Sequence, residues 1–181
     1  MPRVNLRGLC VLLLTALTAV SVSGCGVAYR LTGREAFDIP SISMEPTIKK
    51  GDHVVARLTD GGYAPHEGDV IIYKAPPFWA PAIPGETHIA RVIGTPGVDV
   101  RCCDDAGHLD LDGRPLDEPY IASAKASAAA FDVTVQPGHL WIMADNRDVA
   151  IDSRAHQADA DKGTIPLSDV VGVVDVPDQA G

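Results

Sequence analysis

Gly68-Asp69-Val70-Ile71-Ile72-Tyr73-Lys74 and His88-Ile89-Ala90-Arg91-Val92-Ile93-Gly94 flank a stretch carrying Pro76-Pro77 and the segment Pro81 to Gly85. Asp69 to Tyr73 and His88 to Ile93 read as strands, because β-branched and aromatic side chains suit a pleated, half-buried surface. The prolines between them remove ladder donors and break regular structure, so the chain turns there. The same reading extends outward to His53–Leu58, Val98–Arg101, Leu109–Leu111, Leu140–Ala144 and Val170–Val176. Helical periodicity is weak. Ile121 to Ala130 is the one candidate, and it reads as an Ala/Ser-rich loop or a single short helix. No internal repeat is present. Strand after strand without alternating helices predicts a mainly β, antiparallel architecture.

Length and composition bound the function. At 181 residues the chain suits one domain, or one domain with a smaller lobe, and its 46% hydrophobic and 22% charged residues are those of a globular protein. The formal charge of −9 falls to −11 beyond Cys25, because Arg3 and Arg7 lie before it and no acid does. Such a chain lacks the basic footprint of a nucleic-acid binder. It also has no general electrostatic attraction to anionic lipid, so membrane contact is left to the N-terminal segment.

That segment, residues 1–30, carries Arg3 and Arg7, then an uncharged apolar run from Leu9 to Val22, then Ser23-Gly24-Cys25. Positive residues before the apolar run predict that the body of the chain, C-terminal to it, is exported. Two anchors fit. The run extended to Tyr29 reaches the roughly 20 residues a helical span needs. Alternatively, Val22-Ser23-Gly24-Cys25 resembles a bacterial lipobox, which would leave a lipidated Cys25 as the anchor. Either places the body of the protein at the cell membrane, on its extracytoplasmic side.

Two further cysteines, Cys102 and Cys103, are adjacent. An oxidising compartment permits them to form a small disulfide ring; equally, they can be two thiols on opposite faces of a strand. Neither the cysteine spacing nor the scattered histidines suggests a zinc site, and no metal or other cofactor is expected.

Two blocks carry the chemistry: Pro40-Ser41-Ile42-Ser43-Met44-Glu45-Pro46-Thr47 and Ala144-Asp145-Asn146-Arg147-Asp148-Val149-Ala150-Ile151-Asp152-Ser153-Arg154. With Gly68 to Lys74, His88 to Gly94, Gly113 to Tyr120 and the C-terminal Gly163-Thr164-Ile165-Pro166, in this order, they resemble the type I signal peptidase family, membrane-anchored serine endopeptidases with a Ser/Lys dyad. The resemblance covers roughly Phe37 to Val176. It implies the antiparallel signal-peptidase-like (LexA-like) fold over 37–176, with a smaller β lobe inserted at 97–137 and an N-terminal apolar helix. It also implies hydrolysis of exported preproteins after small residues at the end of the signal peptide.

Carried over by position, the resemblance makes Ser43 the nucleophile and Ser41 a helper of the oxyanion. Phe37, Ile39, Met44, Ile48 and Ile89 become the walls of small-residue pockets, and Asp145, Arg147, Asp152 and Arg154 structural supports of the site. The family's lysine base falls on Ala90, and the serine that orients it on Ala150. Neither alanine can exchange a proton, and the guanidinium of an arginine such as Arg91 stays protonated. His88, two residues before Ala90 and on the same strand face, is the substitute base to test, since imidazole is suited to proton transfer near neutral pH. The alternative is a catalytically dead pseudopeptidase that binds peptides or a partner protein. A repressor-type Ser/Lys autoprotease shares the fold, but the export segment and the lack of a DNA-binding region argue against it.

Overall fold

The computed structural model describes residues 32–176, so the expected N-terminal helix or lipid anchor at 1–30 lies outside the described residues. Among the described residues, no helix is long and apolar enough to cross a membrane. The strands are β1 (Arg34–Asp38), β2 (His53–Leu58), β3 (Val70–Lys74), β4 (Thr87–Gly94), β5 (Asp99–Cys102), β6 (Leu109–Leu111), β7 (Arg114–Pro115), β8 (Phe131–Thr134), β9 (His139–Met143), β10 (Ile165–Pro166) and β11 (Val170–Val174). Two short 3₁₀ turns, Ser153–His156 and Leu167–Asp169, are the helical elements among the described residues.

Every strand pair is antiparallel. Seven strands form one sheet in the order β1-β2-β11-β3-β4-β9-β10, and four form a second in the order β7-β6-β5-β8. The architecture is therefore mainly β, as the alternating runs imply. Ile121 to Ala130 is not a helix: its residues run as bends and coil. Alanine's helix propensity is outweighed by anchoring at fixed points, for Ala126 donates its N–H to Gly107 O and its own carbonyl accepts from Arg147.

Strand β3 shows why the central strands read as nearly continuous apolar runs. Ile71 and Tyr73 pack into one buried cluster with Ala90, Val92, Leu140 and Ile142, whereas Val70 and Ile72 pack on the other face with Ile39, Met44, Ala56 and Ala144. A strand covered on both faces has no polar side to alternate with. At fully buried positions such as Ile71 and Ile72, each side chain contributes on the order of 1.5–3 kcal/mol by leaving water.

The second sheet closes its own core around Val100, Leu109, Leu111, Phe131 and Val133, shared with Trp141 and Met143 of β9. Gly94, at the end of β4, sits where this core meets the first sheet. A Cβ there would collide with Val100 and approach Val135 Cγ2 to 2.8 Å, so only glycine permits the contact. Cys102 and Cys103, both partly buried against this core, are joined as a disulfide, which settles the two alternatives left by their spacing.

Candidate active site

The loop that carries Ser41 and Ser43 begins at the end of β1. Ile39 N–H donates to Asp52 O, and Gly51 N–H returns to Ile39 O, pinning the loop at both ends. Met44 and Ile48 are driven into the core beneath it, at 0% and 4% exposure. This buried pair orients the turn so that Ser41 and Ser43 face outward, with their hydroxyls 3.0 Å apart. The Ser43 N–H points to Ser41 Oγ at 3.5 Å, the outer limit of a hydrogen bond. The Ser43 N–H and the Ser41 hydroxyl thus lie on one turn, with the N–H only weakly engaged.

A second loop, between β9 and the first 3₁₀ turn, is stitched onto the first. Asn146 N–H donates to Ser43 O at 2.8 Å, and Asn146 Nδ2 to Ile42 O at 3.1 Å. Asp152 receives the Ala144 N–H at 3.0 Å and two guanidinium bonds from Arg154 at 2.8 Å each, so its charge is fully committed. Arg154 also donates to Arg147 O.

Two more buried ion pairs underlie the site. Arg91 grips Asp145 with both Nε and Nη2, at 2.8 and 2.6 Å, and its guanidinium lies 3.9 Å over the Tyr120 ring. Arg147 binds Glu118 at 2.6 Å while Tyr120 donates to the same carboxylate at 3.0 Å. Charge-assisted, two-pronged contacts of this kind hold geometry well. Glu118, Tyr120 and Ala126 lie between β7 and β8 of the second sheet, so the network fastens that sheet to the loop that carries Ser43. Asp145 is the fully buried half of an ion pair spanning 54 positions.

Between these elements opens a cavity of about 550 Å³. Of the residues expected at the site, Ser41, Ser43, Phe37, Ile39, His88 and Ile89 line it, together with Ala90, Ala150 and Asp152. Met44 and Ile48 do not; they support the loop from within the core and form no wall of this cavity. Asp145, Arg147 and Arg154 lie behind the wall as supports.

The cavity also has walls that sequence reasoning missed: Tyr73, Trp79, Glu86, Val149, Ile151 and His156. Trp79, inside the proline-rich turn, stacks on His156 with ring centres 4.3 Å apart, and Asp159 holds the histidine ring through Nδ1 at 2.9 Å. Burial and then the Asp152 carboxylate raise the Tyr73 phenol above its ordinary range, so it is a proton donor here and not a base.

Activation is where the geometry stops short. Among the described residues, Ser43 Oγ has one hydrogen-bond partner, the Ser41 hydroxyl. Ala90 and Ala150 line the cavity as methyl groups, and none of Lys49, Lys50, Lys74, Lys125 or Lys162 does. His88 shares Tyr73's side of the sheet, and its Nε2 is buried without a hydrogen-bond partner, 3.6 Å from Glu86 Oε2.

Comparison with known proteins agrees with this layout. The family model "Signal peptidase, peptidase S26" matches residues 9–177. Signal peptidase I of Mycobacterium tuberculosis is 33% identical over 180 residues, covering 74% of this chain and 61% of that protein. A probable signal peptidase I of Mycobacterium leprae is 32% identical over 187 residues, covering 74% and 64% respectively. The chain thus spans about three-fifths of the length of these relatives. A crystal structure of a signal peptidase I from Enterococcus faecalis superposes with a TM-score of 0.50 at 26% identity, covering 62% of this chain and 98% of that one. With a serine pair presented over an antiparallel sheet and a family match across nearly the whole chain, the protein belongs to the signal peptidase family, peptidase S26.

Proposed function

We propose that this chain is an extracytoplasmic, membrane-anchored member of the family that binds the extended cleavage-site segments of exported proteins, and that it lacks a base of its own to cut them. Residues 1–30 would supply the anchor, as an apolar helix or through a lipidated Cys25. One observation carries the binding half of this reading. Strand β4 pairs with β9 from Arg91 onward, so among the described residues Thr87 to Ala90 have no strand partner on that side, beside the Ser43 cavity. An extended peptide can add to such an edge by backbone hydrogen bonds while its side chains enter neighbouring pockets. The apolar walls at Phe37, Ile39 and Ile89 suit small apolar side chains.

A second reading is favoured by His88. Its Nε2 faces the Glu86 carboxylate at 3.6 Å, so Nδ1 would be the nitrogen left to take a proton from Ser43, which would make the chain a slow serine endopeptidase. Its rate would be that of Ser43 activated from a position not built for the task.

Binding is tested separately from cleavage. Full-length protein in detergent should bind a fluorescent peptide with small residues before its cleavage junction, and Ser43→Ala should bind it with unchanged affinity. Substituting bulky residues at those positions should weaken binding at least tenfold, read by anisotropy. Equal binding of small- and bulky-residue peptides would refute the peptide-binding reading.

A further inference from the structure

At its open edge β4 has two faces, and one cavity reaches both. Ile89 lies opposite Ile72 and packs with Phe37 and Ile39, the walls suited to small side chains. His88 and Ala90, on either side of Ile89, lie opposite Tyr73 and Ile71 and face the other way. On that face the cavity is walled by rings. The Tyr73 ring centre is 5.8 Å from that of His88 and 6.1 Å, edge-on, from that of Trp79, which in turn stacks on His156. Ala90 packs in the same cluster as Tyr73 and Trp79 and adds only a methyl group. Asp38, Glu86 and Asp152 also line the cavity, so an acidic guest is repelled. Trp79 Nε1 is buried without a partner, and an ammonium, itself only a donor, cannot satisfy it.

An extended peptide paired with Thr87 to Ala90 sends successive side chains to opposite faces. The residue beside Ile89 meets the small apolar walls. Its neighbours in the peptide, beside His88 and Ala90, meet the rings. We propose that the cleft reads its peptide with a period of two, a small side chain alternating with an aromatic one, and that Tyr73, Trp79, His88 and His156 form the aromatic subsite over Ala90. The inference rests on the peptide-binding reading above and adds the side chain selected on the second face. Rings suit a ring, because edge-to-face and offset contacts attract beyond the area they bury. The face of a guest ring also accepts an N–H, which offers the buried Trp79 donor the partner it lacks. Asp159 holds His156 through Nδ1, and His156 backs Trp79, so the wall is formed before the peptide arrives.

The test uses fluorescent peptides carrying Ala-X-Ala between leucines, titrated against the full-length protein. The leucines fix the register, because a slip of one residue would drive a leucine against the small walls. With phenylalanine at X the peptide should bind about tenfold more tightly than with alanine there, as burial of one ring provides. Phenylalanine in place of either flanking alanine should instead weaken binding. Ala90→Leu, which fills the floor of the subsite, should bring the phenylalanine-to-alanine ratio at X close to one. His88→Ala, at a partly exposed position, should reduce it several-fold, with circular dichroism reporting that each variant is folded. Equal binding of the phenylalanine and alanine peptides would overturn the aromatic subsite while leaving peptide binding intact. So would a phenylalanine preference as strong at the flanking sites, or one that survives both substitutions in folded protein. Absence of binding by every peptide would overturn the peptide-binding reading and this inference with it.

Discussion

Replacing Ala90 by lysine and Ala150 by serine in one chain is expected to raise preprotein cleavage by about 10²–10⁴. That range corresponds to roughly 3–5 kcal/mol of barrier. The ground is prepared for it. The Ser43 hydroxyl already lies 3.0 Å from that of Ser41, and Asn146 clamps the loop that carries it. Ala90 is 1% exposed and opens onto the Ser43 cavity. A lysine entering there would be surrounded by apolar groups, which lowers an ammonium's pKa and yields the neutral amine a base must be. Serine at 150 would supply a hydroxyl to orient that amine. Either substitution alone should recover much less, because a base without its orienting partner is poorly placed. Initial rates on a preprotein, compared among the two single and the double variants, check this.

The second large effect concerns stability. Arg91→Met or Asp145→Ala should each destabilise the protein by about 3–5 kcal/mol, because each leaves a buried, uncompensated charge. Their side chains are 7% and 0% exposed, so water cannot take over the lost contact. Arg91 also caps Gly68 O and lies over Tyr120, so its removal loosens the strand, the turn before β3 and the link to the second sheet together. Replacing both by apolar residues of similar size should recover most of the loss, since no orphaned charge remains. Urea denaturation of the two single variants and the double variant measures this coupling directly.

How much of the fold is legible in the sequence depends on the kind of signal. The strands β2 and β6 run over the residues their alternation suggests, and β3, β4, β5, β9 and β11 begin or end within two residues of the expected bounds. Burial on one or both faces leaves a periodic trace in the chain, and those elements carry it. Strand β1, Arg-Glu-Ala-Phe-Asp, escapes a reading by apolar runs. It is an edge strand whose only apolar residues, Ala36 and Phe37, sit among Arg34, Glu35 and Asp38, and alternate positions are exposed. Strand β8 hides behind the Ala/Ser-rich loop that precedes it.

The candidate site is half legible. Ordered motifs point to Ser41 and Ser43 and to the alanine at position 90. Motifs do not say which way a loop residue faces, so Met44 and Ile48, expected at a pocket wall, lie in the core. Partners far apart in sequence leave no local trace either. The Arg91–Asp145 pair and the Trp79–His156 stack exist only once the strands are aligned.

On the proposed reading, the serine at the centre of the site has no group among the described residues to deprotonate it. The direct measurement is turnover of an exported preprotein by the full-length wild-type protein beside Ser43→Ala, with products identified by mass spectrometry. The two are expected to be indistinguishable over the same incubation. Wild-type cleavage that disappears in Ser43→Ala, and again in a folded His88→Ala, would contradict this and give the chain an imidazole base.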